Sequence, residues 1–365
     1  MPKYNIKTYK YKQLNMNKKK IIKLSLIIIF IIISVMIAAA YTLYSISFSS
    51  NTTEFGTPNR RIFIYEGTKI EDLACNLYNE KIIKNEETFL LTAKFLKLSN
   101  KIMPCGSYTI DEGMSNYNII RKIERKIQTP VRLSINNMRL PSQFAQKVSA
   151  QIMADSAEIM NFISDKERME ELGYSPEELF SLVISNTYEV WWTTSVDDLM
   201  KKFKREHDKI WNEERLSKAQ SLKLTPKEVA ILASIVDEET NYKPEKSTIA
   251  RVYLNRIDKG MKLESCPTVK FALKDFSITH VLYEHTATDN PYNTYKYAGL
   301  PPGPIRLPEI YTIDAVLNAE KHNYIFMCAD SELNGRHKFA KTLSEHNRNA
   351  EKYYIALKKW KKNRK

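Results

Sequence analysis

The sequence predicts an α+β protein carried on one N-terminal transmembrane helix, with a small α+β module ahead of a larger α+β domain. Three observations lead there. An uncharged apolar run at 24–44 follows a cluster of lysines. Between 60 and 128, short strand-like runs alternate with runs of helical period. From 129 the same mixture resumes on a longer scale and includes a strongly capped helix, LTPKEVAILASIVDEET, which runs into three consecutive acids, Asp237, Glu238 and Glu239.

Taken in order, residues 1–23 form a basic tail with eight lysines and no acid. Residues 24–44 (LSLIIIFIIISVMIAAAYTLY) are long enough to cross a hydrocarbon core of about 30 Å. Lys18, Lys19, Lys20 and Lys23 precede them, so the positive-inside rule keeps the N-terminus in the cytoplasm and sends the rest outside. Ala38, Ala39 and Ala40 would suit a signal-peptide cleavage site, but the apolar run exceeds a usual h-region, and an uncleaved anchor in the cytoplasmic membrane is expected. Residues 45–59, rich in Ser, Thr and Asn, read as a tether.

The module at 60–128 begins with a strand near 61–65, closed by Glu66-Gly67-Thr68. Ile70, Leu73, Ala74 and Leu77 mark a helix; Phe89, Ala93, Phe95 and Leu96 mark a second. CGSYTI is a strand, EGMS a turn and NIIRKIERKI a third helix. The domain at 129–355, with its core at 221–355, opens on VRLSINNMRLP and an Ala- and Gln-rich helix. Ser175-Pro-Glu-Glu starts another helix, 186–192 is strand-like, and 195–211 is a helix capped by Ser195 with Asp198 three residues on. Residues 356–365 form a second basic tail.

The formal charge of +14 does not imply nucleic-acid binding. Residues 1–23 and the final KKWKKNRK account for all of the excess, leaving 24–357 formally neutral. Cys75, Cys105, Cys266 and Cys328 lack zinc-site spacing, and no HExxH occurs, so no metal or other cofactor is called for. An oxidising compartment would permit three disulfide pairings, and four separate thiols fit equally well.

The acid-bearing helix starts with a capping box, Thr225 with Glu228, and Pro226 in its first turn. At about 100° per residue, with Val236 at zero, Val229 and Leu232 define an apolar stripe. Glu239 lies about 60° from its centre, whereas Asp237 and Glu238 project to the flank and the back. Glu239 is therefore the acid expected at the rim of an apolar pocket, where desolvation disfavours the charged form and suits a general acid. Asp237 and Glu239 diverge by about 160°, so they cannot flank one glycosidic bond as paired carboxylates do. The alternative is a structural Glu accepting hydrogen bonds near a helix end.

The following residues add a resemblance. NYKPEKSTIARVYLNRIDKGMKLESCPTVKFAL, DNPYNTYKYAGLPPGPIR and HKFAKTLSEHN occur in that order after ASIVDEET. Together these blocks resemble the endolytic murein (peptidoglycan) transglycosylase family of the MltG/YceG type, over most of 60–355. The resemblance implies a LysM-like, peptidoglycan-contacting module at 60–128 and a catalytic domain at 129–355. It implies cleavage of the β-1,4 bond between N-acetylmuramic acid and N-acetylglucosamine within glycan strands, leaving 1,6-anhydro ends. Its catalytic acid maps onto Glu239. Peptidoglycan strands are the implied partner, and peptidoglycan synthases a further one.

A single carboxyl suffices for such a reaction, because the attacking C6 hydroxyl belongs to the substrate. Asn255, Thr268, Asn293, Tyr295 and Tyr188 are the expected substrate contacts: Tyr faces suit sugar rings, and amides suit N-acetyl groups. For Arg256 an ion pair is expected; for His337 and His346, a role holding the last elements together. The sequence departs from the family pattern at Cys266, where many relatives carry Asp, at Glu264, where Gln is common, and at Asp237, where many have Glu. The competing readings are a muramidase-type hydrolase in the same cleft and a non-catalytic peptidoglycan-binding scaffold.

Overall fold

The computed structural model describes residues 5–362. The outermost residues of the two expected basic tails, 1–4 and 363–365, lie outside the described residues. The chain divides into two compact units, residues 1–129 and 130–365.

In the first unit, α1 (Asn5–Phe48) continues the basic segment and the apolar run as one helix. Its stretch Lys18–Phe48 is long and apolar enough to cross a membrane, and the most apolar window within it is not buried at all. Then come β1 (Asn59–Ile64), α2 (Ile70–Asn79), α3 (Glu86–Phe95), β2 (Gly106–Asp111) and α4 (Asn116–Glu124). β1 and β2 pair antiparallel, with Ile62 opposite Tyr108. Alternation turns Ile62 and Ile64 inward, onto Ile70, Leu73, Ala74 and Leu77 of α2 and Ile119, Ile120 and Ile123 of α4. Burying each of these Ile and Leu side chains contributes about 1.5–3 kcal/mol.

The segment at 45–59, expected as a tether, is held by this unit. α1 runs on to Phe48, and Ser47, Asn51, Thr52 and Phe55 are buried. The Asn51 side chain donates to the Asn85 carbonyl at 2.8 Å and to Asn116 Oδ1 at 2.7 Å, and short bridges join Ser50 to Ser115 and Thr52 to Ile83. Polar composition reads as loop whether its groups bond to water or, as here, to protein.

The second unit opens with β3 (Val131–Ile135), α5 (Pro141–Ser149), α6 (Ser156–Ser164), α7 (Lys166–Glu171), α8 (Leu179–Leu182), β4 (Asn186–Val190) and α9 (Val196–Ile210). β3 and β4 pair antiparallel, with Leu133 opposite Tyr188. Helices α10 (Glu213–Ser221), α11 (Pro226–Glu239), α12 (Lys246–Asp258), α13 (Cys266–Leu273), α14 (Tyr283–Thr286) and α15 (Ile310–Leu317) follow. The strand pair β5 (Phe326–Ala329) and β6 (His337–Ala340), then α16 (Leu343–Lys362), complete it.

α11 is central, packing against α8, α10, α12, α13 and α15. Accordingly every residue from 229 to 237 is buried, not one stripe of them. This corrects the helical-wheel expectation: a helix enclosed by neighbours has no solvent-facing back.

Candidate functional site

The cap of α11 forms as expected. The Thr225 hydroxyl accepts from the Glu228 amide at 3.3 Å, and the Glu228 carboxylate accepts from the Thr225 amide at 2.7 Å. Beyond the helix, the Thr240 hydroxyl accepts from the Tyr242 amide at 2.9 Å. Between these ends the three acids meet three different environments.

Asp237 is the most deeply placed, only 4% exposed. Its Oδ1 accepts from Lys246 Nζ at 2.5 Å and from the Thr312 hydroxyl, and its Oδ2 from the Glu309 amide at 2.9 Å. Lys246 also donates to Thr312 at 2.8 Å, so α11, α12 and α15 are pinned by one buried ion pair. Glu238 takes a bidentate grip from Arg139, at 2.7 and 3.0 Å, and a third bond from Arg306 at 3.2 Å. Two planar guanidiniums thus hold this carboxylate in place.

Glu239 is different. Its Oε1 accepts from the Tyr253 hydroxyl at 2.5 Å and from the Ser265 hydroxyl at 2.6 Å. Among the described residues, no cation pairs with it and Oε2 accepts no hydrogen bond. The carboxyl lines a cavity of about 370 Å³ with Tyr253, Glu264, Cys266, Tyr295 and residues of β5.

The groups around it are held neutral. Burial first, and the Glu239 charge second, raise the Tyr253 phenol well above its ordinary range, so it remains a donor. Burial also raises the Tyr295 phenol, with Cys266 adding to it, and raises the Cys266 thiol against the bond it makes with the Tyr295 hydroxyl at 3.1 Å. His346, also on the wall, is pushed down by burial and then by Arg256, and its Nδ1 is buried with no hydrogen-bond partner. Among the described residues no disulfide joins the four cysteines.

Of the residues expected at the site, Glu239 and Tyr295 line the cavity. Thr268 does not: it is fully buried, donates to the Ser265 carbonyl at 2.7 Å and bonds the Thr294 hydroxyl at 2.8 Å, while Thr294 accepts from the Ser265 amide at 3.0 Å. It therefore fixes the residue that holds Glu239. Asn293 is likewise buried. It donates to the Thr286 and Thr288 carbonyls and accepts from the Tyr295 amide at 3.0 Å, so it shapes the loop that presents Tyr295. Asn255 spends both side-chain protons on the His322 and Tyr324 carbonyls, tying α12 to the approach to β5.

Tyr188 is a core residue of the β3–β4 region. Its hydroxyl donates to the Ile184 carbonyl at 2.6 Å, and its ring packs edge-on against Phe203. Arg256 makes the expected ion pair, with Glu264 at 2.6 Å. His337 bonds Glu245 at 3.1 Å while facing the cavity.

Tyr253 and Ser265, the two donors to Glu239, were not expected. Tyr253 had a signal. Ile249, Ala250, Tyr253 and Ile257 recur at helical spacing, so Tyr253 lies on the core-facing stripe of α12, about 200° round from Asn255. Ser265 had none, because its position follows from the loop held by Thr268 and Thr294.

The model of the YceG-like family matches residues 62–352. An endolytic murein transglycosylase of Bacillus subtilis (strain 168) is 27% identical over 335 residues, covering 87% of this chain and 91% of that protein. One from Streptococcus pneumoniae serotype 2 (strain D39) is 23% identical over 321 residues, covering 78% of this chain; the match spans 57% of the streptococcal protein's length. The crystal structure of a yceG-like protein from Listeria monocytogenes superposes with a TM-score of 0.54 at 25% identity, covering 80% of this chain and 98% of that one.

Proposed function

The chain belongs to the YceG-like family, and on that premise we propose that it is an endolytic peptidoglycan lytic transglycosylase with Glu239 as its acid and then its base. The observation that carries this is the contrast within the acid triplet. Two of its members are committed to cations, whereas Glu239 has one oxygen held by neutral hydroxyls and the other, among the described residues, unbonded beside a cavity.

The reaction runs in two proton transfers. The protonated carboxyl gives its proton to the glycosidic oxygen between N-acetylmuramic acid and N-acetylglucosamine as the C1–O bond breaks. The resulting carboxylate takes the proton of the muramoyl C6 hydroxyl as its oxygen bonds to C1, closing the 1,6-anhydro ring. The enzyme ends protonated, as it began, and no water is consumed. Tyr253 and Ser265 position Oε1, so the proton is exchanged at Oε2. General acid–base assistance of this kind contributes about 10²–10⁴-fold.

One observation favours keeping a hydrolase as the second reading: Glu264 lines the same cavity and could supply a second carboxylate. Its bond to Arg256 at 2.6 Å argues for a structural role instead. Mass spectrometry of uncrosslinked glycan digested by the wild type and by Glu239→Gln separates the readings. Anhydro ends from the wild type and none from the variant support the lyase; reducing ends indicate the hydrolase. Wild-type cleavage by the variant overturns the assignment to Glu239, and an inactive wild type indicates a scaffold.

The apolar part of α1 would anchor the chain in the cytoplasmic membrane, with the lysines before it inside and the chain after it outside. On the same reading residues 60–128 form a LysM-like module contacting peptidoglycan, and a synthase of nascent strands is a partner.

A further inference from the structure

The basic segment that closes the sequence has no part in the chemistry assigned to Glu239. Residues 352–365 hold seven lysines and arginines and no acid, Glu351 being the last acid of the chain. α16 carries this segment as helix as far as Lys362.

α16 packs on β5 and β6 and contains no fully buried residue. At about 100° per residue, with Tyr354 at zero, the half-buried Leu357, Tyr353 and Ala356 lie between about −60° and −160°. Trp360, at about −120°, belongs to that inner side. The other side, from about −20° to +160°, carries Tyr354 and Ile355 with five lysines interleaved: Lys352, Lys358, Lys359, Lys361 and Lys362. Tyr354 is 67% and Ile355 51% exposed. A hollow of about 410 Å³ on this face is lined by Asn347, Ala350, Glu351, Tyr354, Ile355 and Lys358, all from α16, so its walls come from no other element. Among the described residues, no ion pair or hydrogen bond engages any of the five ammonium groups.

We propose that this face of α16 is a peripheral membrane contact, whose partner is a lipid surface bearing anionic phosphate headgroups. Charge selects the class: ammonium groups gathered on one face, with no acid beyond Glu351, complement a negatively charged interface. The two exposed apolar side chains among them select lipid over a dissolved polyanion. On a polyanion Tyr354 and Ile355 would stay hydrated. At a lipid interface they enter the headgroup boundary, while the lysine stems lie along it and keep their charges in water. A membrane span in α1 would hold such a surface at high effective concentration for the rest of the chain. The proposal goes beyond the chemistry of Glu239 and takes from the proposed function only the membrane anchor.

The test uses the full chain, reconstituted through α1 into lipid nanodiscs of phosphatidylcholine alone or of phosphatidylcholine mixed with phosphatidylglycerol. Hydrogen exchange is followed in residues 352–362, with α11 as the internal reference. In the anionic discs exchange there should slow about tenfold and recover at high salt, while α11 stays unchanged. Combining Lys358→Gln, Lys359→Gln, Lys361→Gln and Lys362→Gln, which keeps helix propensity, should abolish the difference between the discs. Tyr354→Ser with Ile355→Ser should leave a weaker difference that salt removes more readily. Equal exchange of the parent in the two kinds of disc overturns the proposal. It is also overturned if dissolved polyphosphate protects the segment on phosphatidylcholine discs as well as anionic lipid does, and the two serine changes leave that protection intact. The partner is then a polyanion. A chain that enters neither disc contradicts the anchor instead, and sedimentation with preformed anionic vesicles decides the contact: the parent must sediment and the glutamine variant must not.

Discussion

The last turn of α11 separates two regions of the second unit. On one side, Asp237 and Glu238 face Lys246, Arg139 and Arg306, and every carboxylate oxygen there is bonded. On the other, Glu239 faces two hydroxyls and a cavity whose phenols, thiol and imidazole are kept neutral by burial. The first region joins helices through ion pairs. The second orients a carboxyl through neutral hydroxyls alone, an arrangement that suits the proton exchange proposed for Glu239. Adjacent acids on one helix are thus divided by their partners, not by their own chemistry.

The comparison is broken most severely by exchanging the roles. Glu239→Gln should reduce glycan cleavage by about 10²–10⁴-fold while leaving the melting temperature near that of the parent, because it removes no ion pair. Lys246→Met should do the reverse. It leaves Asp237 charged and buried without its cation, at a cost of about 3–5 kcal/mol in urea unfolding, while folded molecules keep their turnover. The double change Asp237→Leu with Lys246→Met should recover much of that loss. If Lys246→Met is as stable as the parent, the claim that this side exists to hold the helices together is wrong.

A finer test concerns the two donors. Tyr253→Phe and Ser265→Ala each remove one hydrogen bond to Oε1, worth about 1.5–3 kcal/mol when the acceptor is charged. Each should lower kcat by about tenfold or more, with KM nearly unchanged, since neither hydroxyl is proposed to bind the sugar. Thr268→Val should act in the same direction through Ser265 and more weakly. Equal losses in kcat and in glycan affinity would mean that the hydroxyls contact substrate directly.

Much of the fold was legible from spacing. Ile70, Leu73, Ala74 and Leu77 are the buried residues of α2, and the capping box of Thr225 and Glu228 is formed. Reading α11 as amphipathic misplaced Asp237, because burial on all sides comes from α8, α10, α12, α13 and α15, which no local pattern of α11 records. The wheel argument still selected Glu239, but for a reason the structure does not share. What distinguishes it among the described residues is the lack of a cation, and the cations that take its neighbours arrive from Arg139, Lys246 and Arg306. Asn255, Thr268 and Asn293 illustrate a related limit: polar residues in a site-bearing block can serve by holding other residues. Only the register of α12 and the loop around Ser265 decide which side chain reaches the carboxyl.

The smallest expected effect tests whether the cavity side refuses charge. His346 is held neutral by burial, with Arg256 adding to it, so its folded pKa lies below the ordinary value of about 6.5 that the unfolded chain recovers. Between those two values the unfolded chain binds a proton that the fold rejects. Stability should therefore be full above about pH 6.5 and decline as pH falls through that value, ceasing to decline once the folded imidazole also protonates. His207, lowered mainly by its own burial, contributes in the same sense, so the two must be separated by mutation. Urea unfolding of His346→Gln at a series of pH values from 7.5 to about 5 should show a shallower decline than the parent by up to one proton. An identical slope would mean that His346 protonates freely in the fold, and that the wall beside Glu239 tolerates a positive charge after all.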